Sequence, residues 1–471
     1  MSFSSFEFAV FFLVVFTVYV GTSRQLRAQN LVLLIASYVF YGWWDWRFLG
    51  LIALSSIVDF VAGQAIHRSS GRQRALWLLF SLTTNLGLLG VFKYFDFFAD
   101  SFANVLNTIG FRADAFTLGL VLPVGISFYT FQTLSYSIDI YRGKLKPVTS
   151  LLDFAVFVSF FPQLVAGPIE RASAFLPQVR QPRTVTSSGL QAGLFLIVLG
   201  YLKKTVIADN LATIVDQVYG NHTDHGVPDL LIATIAFSLQ IYGDFSGYSD
   251  IARGLSKTMG FELRENFRLP YFATNPSDFW RRWHISLSSW LRDYVYIPLG
   301  GNRGGAFATC RNLMLTMLIG GLWHGAAWNF ILWGFFHGAI LVIYRLFQGT
   351  GREQKTPTAT SHLILFPRWL LMMTLTLFGW MLFRAESLGQ IQEFCMSNDW
   401  SLSPRSKKWV LQCVLYSSPL LFLETVQQFS GNMLCFLRWQ PWALGLLIGS
   451  LLAFIFVFAS RTSTEFIYFQ F

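Results

Sequence analysis

The chain has 471 residues, of which 54% are hydrophobic and 13% charged, against about 25% charged in an average soluble domain. Lys and Arg outnumber Asp and Glu by 35 to 25, a net charge of +10. This composition excludes an ordinary water-soluble domain. The basic excess falls in short loops between apolar runs, which points to anionic lipid rather than nucleic acid as its partner.

Apolar runs near the roughly 20 residues that cross a bilayer recur at 6–22, 30–44, 48–66, 75–92, 115–138, 151–166, 188–206, 229–250, 312–348, 366–383, 409–427 and 441–459. The pattern predicts an all-α polytopic membrane protein, with one or two of these segments re-entrant or interfacial. Residues 1–5 carry no positive charge and no small-x-small cleavage site follows, so 6–22 reads as an uncleaved first span. Basic clusters at Arg24 and Arg27, His67–Arg74, Arg142–Lys146, Arg171–Arg183 and Lys203–Lys204 place the N-terminus on the outer side of the membrane and the first loop in the cytoplasm.

No composition shift or internal repeat divides the chain. It reads as one membrane-embedded domain over 1–471, with a core at about 120–348 and further helices at about 366–460. The segment 349–365 reads as an exposed loop, and 251–311 as the longest stretch that does not span. Cys310, Cys395, Cys413 and Cys435 have no C-x-x-C spacing and read as buried structural thiols. His222 and His225 lie in a polar loop without a cysteine or carboxylate frame, so no metal site is expected there; His67 and His362 also read as loop residues.

Two aspartates, two serines and two tyrosines crowd Tyr242-Gly-Asp-Phe-Ser-Gly-Tyr-Ser-Asp250 at the end of an apolar run. Tyr242, Asp244 and Ser246 serve either to cap a helix or to form a polar wall of a reaction chamber. Farther on, residues 278–296 plotted as one helix put Trp280, Trp283, Leu287, Trp290, Leu291 and Tyr294 on one face. Arg281, Arg282, Ser288, Ser289, Arg292 and Asp293 fall on the other, with Ile285 as the exception and His284 at the boundary. Such a helix should lie in the membrane interface, arginines toward the cytoplasm.

The run after Arg311 and Asn312 carries no charge as far as His324 and beyond. As a helix rising 1.5 Å per residue, it would bury His324 roughly 20 Å from Arg311. Gly320 and Ala327, four before and three after, surround it with small side chains, and Trp323, Trp328 and Asn329 adjoin it. An imidazole at that depth is a functional-site hypothesis by default. His337, thirteen positions on, would face away from His324 along a continuous helix.

Phe279-Trp-Arg-Arg-Trp-His-Ile-Ser-Leu-Ser-Ser-Trp-Leu-Arg-Asp-Tyr-Val-Tyr-Ile-Pro-Leu-Gly-Gly301, Asp244-Phe-Ser-Gly-Tyr-Ser-Asp-Ile-Ala-Arg-Gly254, Gly321-Leu-Trp-His-Gly325 and Ala166-Gly-Pro-Ile169 resemble the membrane-bound O-acyltransferases, as does Phe40-Tyr-Gly-Trp-Trp44. The likeness is to the bacterial branch that O-acetylates alginate and D-alanylates teichoic acids. It implies eleven or twelve helices around a thinned centre, where funnels from both sides approach. It implies His324 as the principal catalytic histidine, and it matches His284 to the branch's second histidine.

The implied reaction moves an acetyl group from cytoplasmic acetyl-CoA, a donor substrate with no bound cofactor or metal, toward an exported polysaccharide of the alginate or cellulose type. The implied partners are periplasmic acetyltransferase or polysaccharide-modification proteins, and the location is the bacterial inner membrane. Trp323, Asn329, Tyr242, Asp244 and Ser246 are expected to line the substrate path, with Arg281, Arg282 and Arg292 at the donor phosphates. D-alanyl transfer toward teichoic acid is the second reading. A proton-linked transporter is the third, since intramembrane histidines also act as relays.

Overall fold

The computed structural model describes residues 1–165, 167–348, 362–461 and 464–467, all of them helical or irregular. The first helices are α1 (Phe6–Gly21), α2 (Leu26–Asp45), α3 (Leu49–Arg68), α4 (Gly71–Leu89), α5 (Phe95–Thr108), α6 (Ile126–Tyr141), α7 (Leu151–Ser159), α8 (Phe161–Leu164) and α9 (Ala172–Val179). Then come α10 (Ser187–Tyr201), α11 (Asp209–Gly220), α12 (Val227–Thr258), α13 (Pro276–Arg282), α14 (Ile285–Leu291) and α15 (Gly305–His324). The last are α16 (Trp328–Gln348), α17 (His362–Arg384), α18 (Leu388–Met396), α19 (Ser406–Ser430) and α20 (Pro441–Phe458). Among the described residues nine helical stretches are long and apolar enough to cross a membrane, and α1 is a shorter apolar helix. Large apolar side chains such as Phe6, Leu13, Phe347 and Phe456 stand exposed along them, as a lipid-facing surface requires. The chain is a multi-pass membrane protein.

Several expected boundaries move. The runs at 30–44 and 48–66 are α2 and α3, separated by an extended Asp45 and the short turn Trp46–Phe48 within one apolar stretch, Leu26–Arg68. The run at 75–92 continues through a π-helical turn at Gly90–Tyr94 into α5. The expected span 115–138 is helical only from Ile126, because Pro123 and the left-handed Gly125 (φ 76°) break what precedes it. Segment 151–166 holds two helices of nine and four residues, too short to cross. The supposed non-spanning region 251–311 is shorter than expected, since α12 runs on to Thr258 and α15 begins at Gly305. Most of the loop read at 349–365, and Ala166 of the family-like motif, lie outside the described residues.

The chain divides into two compact units, Met1–Leu194 with Ala252–Arg264, and Phe195–Ile251 with Glu265–Phe471. The core of the first is aromatic: Phe160 lies 5.1 Å from Phe175 and 4.9 Å from Phe261, ring to ring. Polar groups buried there are satisfied in sets. The Asp59 carboxylate accepts hydrogen bonds from Ser81 (2.5 Å), Ser137 (2.7 Å) and Asn85 (2.7 Å), tying α3 to α4 and α6. The Arg183 guanidinium donates to Tyr19, Asn30 and the Val179 carbonyl. Unpaired, each would cost several kcal/mol in this medium, roughly 3–5 for a charge that loses its partner.

Glu170 is also buried in this unit and accepts the Arg264 amide at 2.6 Å, while the Arg264 guanidinium stays 3.7 Å away. Burial pushes its carboxyl up to about 7, against the smaller opposing pull of Arg264. Between about 4.5 and 7 the folded chain therefore keeps a proton that the unfolded chain releases. The stability contributed is complete below the unfolded value and is lost as pH rises through 7. Melting in detergent at pH 5 and pH 8 should show wild type losing more stability than Glu170→Gln over that interval; parallel losses would refute this assignment.

Candidate functional site

The site is built entirely from the second unit. Glycines let α15 lie directly on α16. A Cβ at Gly321 would stand 2.2 Å from the Phe330 carbonyl oxygen, and one at Gly334 would stand 2.5 Å from that of Met317. Such small-residue contact is how helices associate where lipid removes the hydrophobic drive. α15 ends at His324, and Gly325 turns extended (φ −158°) before α16 begins. The 312–348 run thus forms two helices, and the position of Ala327 three residues beyond His324 has no helical meaning.

His324 is 4% exposed, with its ring 5.1 Å from Trp323, 5.0 Å from Trp333 and 5.3 Å from Phe383. It lines a cavity of about 370 Å³ together with Arg281, Arg292, Ser288, Gly320 and Met317, among others. His337 does not point away as a continuous helix would have it. The break after His324 folds α16 back so that Trp333 lies 5.0 Å from His324, and His337, one turn further along α16, lies 4.6 Å from that same indole.

The expected interfacial helix at 278–296 is two short helices, α13 and α14, followed by a π-helical turn at Arg292–Tyr296. His284 breaks it, in a left-handed conformation (φ 43°) that non-glycine residues seldom adopt. The tryptophan face is turned into the protein: Trp283 and Trp290 are buried, and His284 is 0% exposed rather than at a boundary. An amphipathic wheel cannot distinguish lipid from a protein interior as the receiver of its apolar face.

Asn266 holds the strained turn. Its Oδ1 accepts the Ser286 amide (3.2 Å) and hydroxyl (2.9 Å), and its carbonyl accepts the Ile285 amide. Because backbone N–H groups only donate, that oxygen is an acceptor, so the His284 Nδ1 at 3.1 Å must donate to it. The proton is thereby fixed on Nδ1 and the Nε2 lone pair left for other contacts. Burial holds the His284 imidazole well below its ordinary value, at about 3, and so neutral. Its ring centroid lies 6.5 Å from that of His324 and 5.8 Å from that of Trp323, which touches both. Asn266→Leu should lower the unfolding midpoint, by about 1–3 kcal/mol for the orphaned donors, and cut transfer at least tenfold. A stability loss with undiminished transfer would leave Asn266 a scaffold residue only.

The other expected site residues divide. Trp323 joins the two histidines. Arg281 and Arg292 line the His324 cavity, with Arg292 paired to Asp293 at 2.8 Å, while Arg282 pairs with Asp278 at 3.0 Å on a neighbouring cavity. The Asn329 amide is committed to the Ala385 carbonyl at 2.8 Å, beyond the end of α17. Tyr242, Asp244 and Ser246 lie in the interior of α12, so the helix-cap reading fails. Glycines at 200 and 247, whose Cβ atoms would fall 2.6 Å and 2.8 Å from each other's carbonyl oxygens, let α12 lie against α10 and the π-helical Leu202–Ala208. There Lys204 bridges Asp244 (2.8 Å) and Asp209 (2.9 Å), Lys203 pairs with Asp250 (2.7 Å), and Tyr242 donates to Glu424.

The segment after α20 also enters this core. The Ile467 amide donates to Asp244 at 2.7 Å and Thr464 to Asp209 at 2.5 Å, and the Phe466 ring meets Phe245, which in turn lies 4.5 Å from His284. Sequence reasoning missed Asn266, Trp333, Phe383, Glu424 and this returning segment. Only Trp333 and Glu424, a tryptophan and a charge inside apolar runs, had a visible signal.

His222 and His225 each face a carboxylate the sequence did not place there: Glu393 at 2.5 Å and Asp229 at 3.1 Å. All four cysteines are free thiols. Cys413 and Cys435 are buried as expected, Cys310 is half-buried, and Cys395 is exposed.

A family model for the membrane-bound O-acyltransferases matches residues 145–383. The chain is 42% identical to a probable alginate O-acetylase of Azotobacter vinelandii, over 86% of its own length and 80% of that protein. It is 34% identical to a peptidoglycan O-acetyltransferase of Helicobacter pylori, over 95% and 93%. A teichoic acid D-alanyltransferase of Bacillus subtilis is 31% identical over 50% of this chain and 62% of that protein.

Proposed function

The chain belongs to the membrane-bound O-acyltransferase family and is an acyltransferase, and from that premise we propose that it moves acetyl groups from cytoplasmic acetyl-CoA toward hydroxyls of an exported, alginate-like polysaccharide. The observation that carries the reading is a buried imidazole, His324, lining a cavity that also holds two arginines. Similarity over most of the chain to probable alginate O-acetylases supports the acetyl group and the polysaccharide. The enzyme sits in the inner membrane with its N-terminus outside, and periplasmic modification proteins receive the acetyl group.

In the reaction the acceptor hydroxyl gives its proton to neutral His324 as its oxygen attacks the thioester carbonyl. The new C–O ester bond forms and the C–S bond breaks. The imidazolium returns the proton to the departing thiolate, giving a free thiol and a neutral histidine. Trp323, Trp333 and Phe383 keep water from the imidazole. His284, its proton fixed by Asn266, packs its ring 5.8 Å from the Trp323 indole, which also meets His324.

Inside-out vesicles given labelled acetyl-CoA should pass label to a polysaccharide acceptor. Label passing only from a D-alanyl thioester would replace this reading with the teichoic acid one, which rests on relatives matching about half of the chain.

A further inference from the structure

Two tryptophans from different helices, Trp280 of α13 and Trp333 of α16, line the cavity that contains His324. Their rings stand 5.7 Å apart and nearly perpendicular, at 78°. His337 backs both, its ring 5.1 Å from Trp280 and 4.6 Å from Trp333, and Trp333 lies 5.0 Å from the His324 ring. Trp333 is buried and Trp280 half-buried, yet the Nε1 atoms of both are closed to solvent and no protein acceptor reaches either. An indole nitrogen can only donate, and a buried tryptophan usually finds an acceptor for it. Two such donors left unpaired in adjoining rings are costly in a water-poor interior.

The cavity wall does not supply the missing acceptor. Leu287, Leu291, Met317 and Leu341 form much of it, and no carboxylate stands among the described residues that line it. An oxygen that completes the two N–H groups must arrive on a bound molecule. Beside His324, the oxygen that gains charge during acyl transfer is that of the thioester carbonyl.

We propose that the indole N–H groups of Trp280 and Trp333 form an oxyanion-binding pair for the transfer step. This rests on the acyl-transfer reading above. The acceptor oxygen adds to the carbonyl carbon while its proton passes to His324, and the carbonyl π pair moves onto the carbonyl oxygen. Both indoles donate to that oxygen. When the pair returns, the C–S bond breaks with its electrons on sulfur, and the imidazolium gives its proton to the thiolate. The arginines of the cavity suit this task less well. Arg281 is exposed and also borders a second cavity, and Arg292 is exposed and paired with Asp293. Water screens a guanidinium at such a surface, whereas fixed dipoles in a dry site act through a low dielectric and need no reorganisation as charge develops.

The test replaces each tryptophan, in the full chain, by benzothienylalanine, which keeps the bicyclic shape and puts sulfur where the N–H was. Each replacement should lower kcat about 10²–10³-fold and leave KM for acetyl-CoA unchanged, the mark of a contact made only in the transition state. A second measurement needs no turnover. The ketone analogue of acetyl-CoA, with a methylene in place of the thioester sulfur and an isotopically labelled carbonyl carbon, is bound in nanodiscs and its carbonyl stretch read by infrared difference spectroscopy. The stretch should lie at lower frequency in wild type than in either variant. The same replacement at Trp409, a buried tryptophan outside this cavity, should move neither readout. Rates and stretch frequencies equal to wild type in both variants would overturn the proposal, and so would a loss confined to KM. A lowered stretch in wild-type protein that transfers no acetyl group would uphold the donor pair and count against the acyl-transfer reading alone.

Discussion

His324→Ala is expected to lower acyl transfer by about 10²–10⁴-fold, the usual contribution of a general base, while the protein still purifies as a folded species. The residue is the last of its helix and is followed by an extended glycine, so truncation breaks no internal turn of α15. What it removes is the basic nitrogen on the cavity wall, with Trp323, Trp333 and Phe383 left around a small void. Initial rates with labelled acetyl-CoA, normalised to folded protein by size-exclusion chromatography, decide the matter. Transfer within a few fold of wild type would remove His324 from the chemistry.

Gly321→Leu is expected to do the greater damage to the fold. Even the first carbon of a side chain there would sit 2.2 Å from the Phe330 carbonyl oxygen and 3.1 Å from the Gly334 Cα, both backbone atoms that no rotamer change can move. The two helices must separate, which opens the aromatic cluster around His324. A loss of about 3 kcal/mol, the upper end of overpacking costs, is the expected result, seen as a lower melting temperature and poor recovery from detergent. Gly445→Ala is the control: nothing lies within 4 Å of its Cβ, so its effect should stay within about 0.5 kcal/mol. Equal melting temperatures for the two variants would refute the close-approach argument.

The burial of His324 and the nearness of Gly320 were legible because both follow from neighbours along one helix, whereas Ala327 lies beyond the break and Trp333 and Phe383 pack there instead. The direction of His337 was misread for the same reason, since the break after His324 redirects every residue beyond it. The tryptophan stripe of 278–296 was seen correctly but assigned to lipid. Its real partners, Tyr271 and Phe267 around Trp283 for example, come from the connection between α12 and α13, where the single 3-10 turn Pro270–Phe272 is too short to leave a periodic pattern. Asn266 had no signal of any kind, being one asparagine in a polar stretch whose importance lies in three hydrogen bonds to residues about twenty positions later.

Composition alone determined that this is a multi-pass helical membrane protein, because the cost of leaving water is set residue by residue and simply adds along a run. It also marked His324 and His284 as unusual, because an imidazole among apolar residues is costly wherever they fold. Only the tertiary structure decided that the two rings approach each other, that Arg281 stands between two cavities, and that Asp244 spends its charge on Lys204 and the returning chain end. Those outcomes depend on close backbone approach at a few glycines and on one left-handed turn. Their energies exist only once distant segments are already in contact.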